Sequence, residues 1–89
     1  MKREWCTKQT TINDAERENI VKDPRLDNVP LPFGFIFWRW VDFREKLREG
    51  DELWEFKSPR KSWENLAGRE GFCIVRDGEV VEHIITVMS

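Results

Sequence analysis

The chain has 89 residues, 15 of them Lys or Arg and 17 Asp or Glu, for a net charge of -2. That length leaves room for one domain. The evenly mixed charges exclude a basic arm for nucleic acid or anionic lipid, and no apolar run reaches the roughly 18 residues that a membrane span needs.

Residues 1–12 are polar and are expected to be loosely held. A short helix follows, with Asn13 as its cap and Glu16 as the capping-box partner, running through Ala15, Ile20 and Val21. Pro24 ends it. Asn28-Val29-Pro30-Leu31-Pro32 reads as an extended connector, because proline suits neither a helix interior nor a central strand. Residues 35–48 carry two competing signals. The types in Phe35-Ile36-Phe37-Trp38-Arg39-Trp40-Val41 favour a strand. Yet Ile36, Trp40, Phe43 and Leu47 fall on one helical stripe, and Gly50 stands where a C-terminal cap belongs. The favoured reading is an extended start near 34–38 that passes into a helix ending near Glu49. A fourth strand from 34–41 is the alternative.

From Leu53 to Lys57 a strand is expected, with Trp54 and Phe56 on one face. Ser58 is the expected cap of a helix over 59–67, with Pro59 at its first position and Trp63, Leu66 and Ala67 as its apolar stripe. Gly68 is expected to close it in the left-handed conformation. Two strands, Phe72–Arg76 and Glu79–Met88, flank Asp77-Gly78, a strong hairpin signal. A two-residue turn sets Arg76 opposite Glu79, Ile74 opposite Val81 and Phe72 opposite His83. That register puts Phe72, Ile74, Val81, His83, Ile85 and Val87 on one face. Cys73, Val75, Val80, Ile84 and Met88 take the other. Both faces are apolar, so helices or a partner should cover both.

The block Asp51-Glu52-Leu53-Trp54-x-Phe56-x-Ser58-Pro59-x-x-Ser62-Trp63-x-x-Leu66-Ala67-Gly68-Arg69-x-Gly71 resembles a family of small uncharacterised bacterial proteins that share it. The resemblance extends weakly into the hairpin and covers a little under half the chain. It implies membership of that family and no particular activity. Where the family pattern has an acidic residue before the Ser-Trp pair, this chain has Arg60 and Lys61.

The catalytic inventory is thin: one histidine, His83, no tyrosine, and no phosphate loop, metal-spaced histidine pair or Cys-x-x-Cys. Cys6 and Cys73 are too few and too far apart in sequence for a disulfide framework or a metal knuckle, and Cys73 reads as a buried free thiol. Met1 to Trp5 lack the apolar stretch of a signal peptide, so a reducing cytoplasm is the expected location. No cofactor and no metal are expected. Asp51, Glu52 and Glu55 read as a solvated strand edge rather than a cation site.

The segment 57–63 is the expected anion- or partner-binding site. Ser58, Arg60, Lys61 and Trp63 gather at a helix N-terminus, with Arg69 beyond. The alternative, and the weightier of the two readings, is Arg60 paired with Glu64 one turn on, and Trp63 in the core. His83 reads as structural, with a catalytic or pH-sensing role as the alternative.

These expectations describe an α+β domain: a small antiparallel sheet, made of the C-terminal hairpin plus a strand near 52–57, packed with the 59–67 helix and the 35–48 region. The function that fits them is a small non-catalytic interaction or regulatory module binding protein through aromatic surface, as a homodimer or with another protein. The alternatives are a nucleic-acid or nucleotide binder using 57–63, against which the charge balance counts, and a small enzyme using His83.

Overall fold

The computed structural model describes residues 1–22 and 29–88. Pro24 as a helix stop and the start of the 28–32 connector lie outside the described residues. In chain order the elements are β1 (Cys6–Thr10), α1 (Ile12–Glu18), β2 (Ile20–Lys22), β3 (Pro30–Pro32), α2 (Phe37–Arg44), β4 (Glu52–Lys57), α3 (Arg60–Glu64), β5 (Arg69–Arg76) and β6 (Glu79–Met88). Single 3-10 turns cover Arg3–Trp5 and Gly34–Ile36. The main sheet is antiparallel, in the order β1-β4-β5-β6, and β2 and β3 form a two-stranded ribbon of their own. The fold is α+β. Among the described residues no helix is long and apolar enough to cross a membrane.

The fourth strand of the sheet comes from the N-terminus, which was expected to be loose, and not from 34–41. Cys6–Thr10 is polar but finds the open edge of β4, pairing Lys8 with Glu55 and Thr10 with Leu53. Residues 37–44 are helical because the apolar stripe outweighs strand propensity. Trp40 and Phe43 are buried, and Ile36 and Leu47 pack against them. The helix starts earlier than expected and stops at Arg44, with single turns carrying the chain on to Leu47. Gly50, at φ 87°, makes the reversal into β4.

Three helix ends differ from expectation. Thr11 caps α1, its Oγ1 accepting from the Asp14 N–H at 3.1 Å. Glu16 is therefore free of the capping box and reaches α2, where it accepts from the Trp40 indole N–H at 2.8 Å and pairs with Arg44. Ile20 and Val21 belong to β2, not to the helix. Helix α3 is only five residues long with Pro59 at its N-cap, so Ser58 is not the cap. At its other end Leu66 takes the left-handed conformation, φ 58°, the role expected of Gly68.

The hairpin turn forms as expected. Asp77 and Gly78 both have positive φ, 53° and 81°, the signature of a type I′ turn. Arg76 faces Glu79 and Val75 faces Val80. Beyond them the register slips. Ile74 faces Glu82 and Cys73 faces His83, because Val81 is an extra residue bulged out of the ladder. A second slip follows where Glu70 faces Val87 and Gly71 faces Ile85. A bulge of one residue moves every later side chain to the other face. Ile84 thus joins Phe72 and Ile74, and His83 and Ile85 join Cys73 and Val75, reversing the expected assignment.

Two apolar clusters result, one on each face of the sheet. The larger lies under α1 and α2 and contains Trp40, Phe43, Leu53, Phe72, Ile74 and Ile84, with Phe33 wedged among them. Phe33 stacks on Trp40 at 4.4 Å and meets Phe72 edge-on at 5.5 Å. The smaller cluster buries Phe56, Cys73 and Val75 on the opposite face, with Trp5, Cys6, Trp54, Val80 and Ile85 packed around them. Among the described residues no α-helix contributes to that cluster. The side chains around the N-terminal turn do, so both sheet faces are closed by the chain itself.

Candidate functional site

The expected site at 57–63 is only partly assembled. Lys57, Ser58, Arg60 and Trp63 line a depression of about 500 Å³ together with Thr7 of β1, while Lys61 and Arg69 are not among its walls. The polar groups there are largely committed to the fold. Ser58 is buried, shares a hydrogen bond with Ser62 at 2.7 Å, and accepts from the Arg69 backbone N–H at 2.8 Å. Its own N–H donates to the Arg69 carbonyl. This network ties the end of β4 to the start of β5. The Arg69 guanidinium turns back onto the Gly68 carbonyl at 2.8 Å. Arg60 pairs with Glu64 at 3.2 Å, as the alternative reading expected, and both side chains are well exposed.

Trp63 is held by its surroundings. Gly68 packs so closely on the ring that a Cβ there would collide with it. The Lys57 ammonium stands over the same ring, 5.4 Å from its centroid. The indole N–H is buried without a partner among the described residues. Gly68 and Lys57 fix the ring's position while it lines the depression, partly buried.

Of the acidic group Asp51, Glu52 and Glu55, Asp51 is drawn into the fold, while Glu52 stays exposed as expected of a solvated edge. Asp51 takes both arms of Arg76, Nε at 2.8 Å and Nη2 at 2.7 Å, and the Arg48 N–H at 2.9 Å. These bonds to its charged form hold the carboxyl well below its ordinary range, at about 2. Glu52 accepts from the Trp54 indole N–H at 2.9 Å.

His83 is exposed on β6, with its ring edge-on to Phe56 at 6.3 Å. Because of the bulge its cross-strand neighbour is Cys73. A cysteine–histidine dyad would need an accessible thiol of lowered pKa. Cys73 is fully buried, and burial followed by the neighbouring Cys6 thiol pushes it up to about 12. The pair lacks the nucleophile that such chemistry requires.

His83 does, however, line an open groove that the sequence does not announce. Its walls are Arg39, Asp42 and Phe43 of α2 and Lys46 just beyond, facing His83, Ile84 and Ile85 of β6, around a volume of about 290 Å³. The strand wall is an outermost strand, and no described residue pairs with its outer backbone. The helix wall carries Arg39, which makes no ion pair among the described residues. Lys46 makes only a loose pair with Glu82, at 3.7 Å between exposed groups. Trp38 stands on the same helix one turn before Asp42, 74% exposed, with Phe37 edge-on against it at 5.3 Å. The signal for these residues is present in the sequence. Once Trp40 and Phe43 face inward, helical spacing sends Trp38, Arg39 and Asp42 outward.

No family model, curated protein or solved structure matches this chain. Function is therefore read from geometry.

Proposed function

We propose that this chain is a small non-catalytic interaction module that takes a short extended segment of a partner protein along the outer edge of β6, beside α2. The observation that carries the reading is the groove: an unpaired strand edge on one wall and Arg39, Asp42 and Lys46 on the other, with the exposed Trp38 outside the lining, one helical turn before Asp42. Added strands gain affinity from main-chain hydrogen bonds and specificity from flanking side-chain contacts. The two bulges on β6 bound the regular stretch to Glu82–Ile85, which fits a segment of about four residues rather than a long strand. Bulges of this kind also blunt an edge against pairing with a copy of itself. Arg39 and Lys46 on the helix wall favour an acidic side chain on the segment. Trp38 serves as the aromatic anchor, since exposed tryptophans dominate binding energy where they are covered.

Panning a random displayed-peptide library on the intact protein tests this reading. Enriched peptides should carry acidic residues among β-formers and should slow amide exchange in Glu82–Ile85. Trp38→Ala should weaken them by about 2 kcal/mol, roughly 30-fold, and Arg39→Glu should weaken the acidic ones. Peptides that bind the Trp38→Ala/Arg39→Glu variant with unchanged affinity would place the site elsewhere.

A further inference from the structure

The sequence places Cys6 and Cys73 far apart, 67 positions from one another, and the sheet brings them together. Cys6 opens β1, Cys73 lies in β5, and β4 runs between the two strands. Their side chains meet on the same face of the sheet, with Sγ to Sγ at 3.3 Å. Both thiols are free. We propose that Cys6 and Cys73 form a redox-modifiable pair, which a small-molecule disulfide such as oxidised glutathione converts to an intramolecular disulfide linking β1 to β5 over β4.

Three features of the pair support this. The sulfurs are already in contact at 3.3 Å; because β4 lies between the two strands, the backbones start two strand spacings of roughly 4.8 Å apart, so closing the bond requires the Cys6 end of β1 to move inward over β4. Cys6 sits at the end of an edge strand, beside a break in the β1–β4 register between Cys6 and Lys8, where the backbone has slack. Access is unequal: Cys6 is partly exposed and Cys73 fully buried, so reagent meets Cys6 first and Cys73 serves as the resolving thiol.

The exchange balances. The Cys6 thiolate attacks one sulfur of oxidised glutathione, forms a mixed disulfide and expels one glutathione thiolate. Cys73, whose burial disfavours its thiolate and makes this the slow step, attacks the adjacent Cys6 sulfur and passes its proton to the second glutathione, which leaves as the thiol. The two cysteines together lose two electrons and two protons, and the oxidant leaves as two thiols. The product pins the N-terminal strand, and with it the turn bearing Trp5, onto the smaller apolar cluster.

The test incubates the full-length protein with oxidised glutathione, quenches it in denaturant with an alkylating reagent, and reads the intact mass. The expected product is a monomer two hydrogens lighter than the reduced chain and closed to alkylation. Its melting temperature should rise by about 10 °C, since the bond closes a long loop, and dithiothreitol should reverse the change. Cys6→Ser should show neither the mass change nor the thermal shift. Cys73→Ala, which keeps a small apolar side chain in the buried site, should stop at a stable glutathione adduct on Cys6. If Cys73→Ala does not fold, the Cys6→Ser arm alone decides. A persistent adduct in the unaltered protein, disulfide-linked dimers, or two alkylated thiols would each overturn the proposal.

Discussion

Asp51 shows how a single side chain here serves structure. Its side chain is 2% exposed and accepts three hydrogen bonds, two from Arg76 and one from the Arg48 backbone. Its folded pKa of about 2 lies below the ordinary 3.8, so the ionised form binds its partners and the protonated form does not. The stabilisation is therefore complete above about pH 4 and drains away as pH falls towards 2. Asp51→Asn should lower stability at neutral pH and flatten the loss between about pH 4 and pH 2, as read by urea unfolding across that range. An unaltered acid profile would mean the bidentate pair carries no linkage. Gly68 makes a steric case instead. With no room for a Cβ against the Trp63 ring, Gly68→Ala should cost about 3 kcal/mol through overpacking. Chemical denaturation measures it, and a near-neutral result would show that the ring swings aside freely.

At the scale of elements, the N-terminal turn and β1 carry more than their polar sequence suggests. Trp5 is the one large ring that this turn adds to the cluster of Phe56, Cys73 and Val75. Trp5→Ala should cost roughly 2–3 kcal/mol, somewhat under the figure for a fully buried tryptophan. It should also make Cys73 reactive towards a thiol reagent in the folded protein, since the cover over that cluster thins. Continued protection of Cys73 in a stable variant would show that another group shields it. The hairpin shows the reverse lesson. Its turn is local chemistry and forms as the dipeptide dictates, while the Val81 bulge depends on packing. Only the slipped register lets Ile84 enter the larger cluster under α2 and leaves Glu82 within reach of Lys46.

The whole molecule is a flat body, 39 × 37 × 17 Å, with a helical layer on one face of the sheet and a thin aromatic cover on the other. Because both faces are closed within one chain, the apolar ribbon does not itself demand a partner. Among the described residues, Trp38 at 74%, Leu66 at 79% and Met88 at 66% exposure are the most open of the large apolar side chains. The protein should therefore run as a monomer in light scattering at micromolar concentration. A stable dimer that Trp38→Ala dissolves would replace strand addition by self-assembly as the use of the β6 edge.

The sequence by itself determined the α+β class, the strand at Glu52–Lys57, the type I′ hairpin, the inward stripe of Trp40 and Phe43, and the surface pair of Arg60 with Glu64. Each is announced by residue types and spacings within a short stretch of chain, so local pattern suffices to name it. Tertiary structure alone decided that a polar N-terminal segment completes the sheet, that a one-residue bulge turns His83 and Ile84 to opposite faces, that Ser58 and Arg69 are spent on holding β4 to β5, and that two cysteines 67 positions apart share one sulfur contact. These depend on which edge is open and which cavity must be filled. Such contacts are settled only when distant segments compete for the same surface, and local pattern carries no trace of that competition.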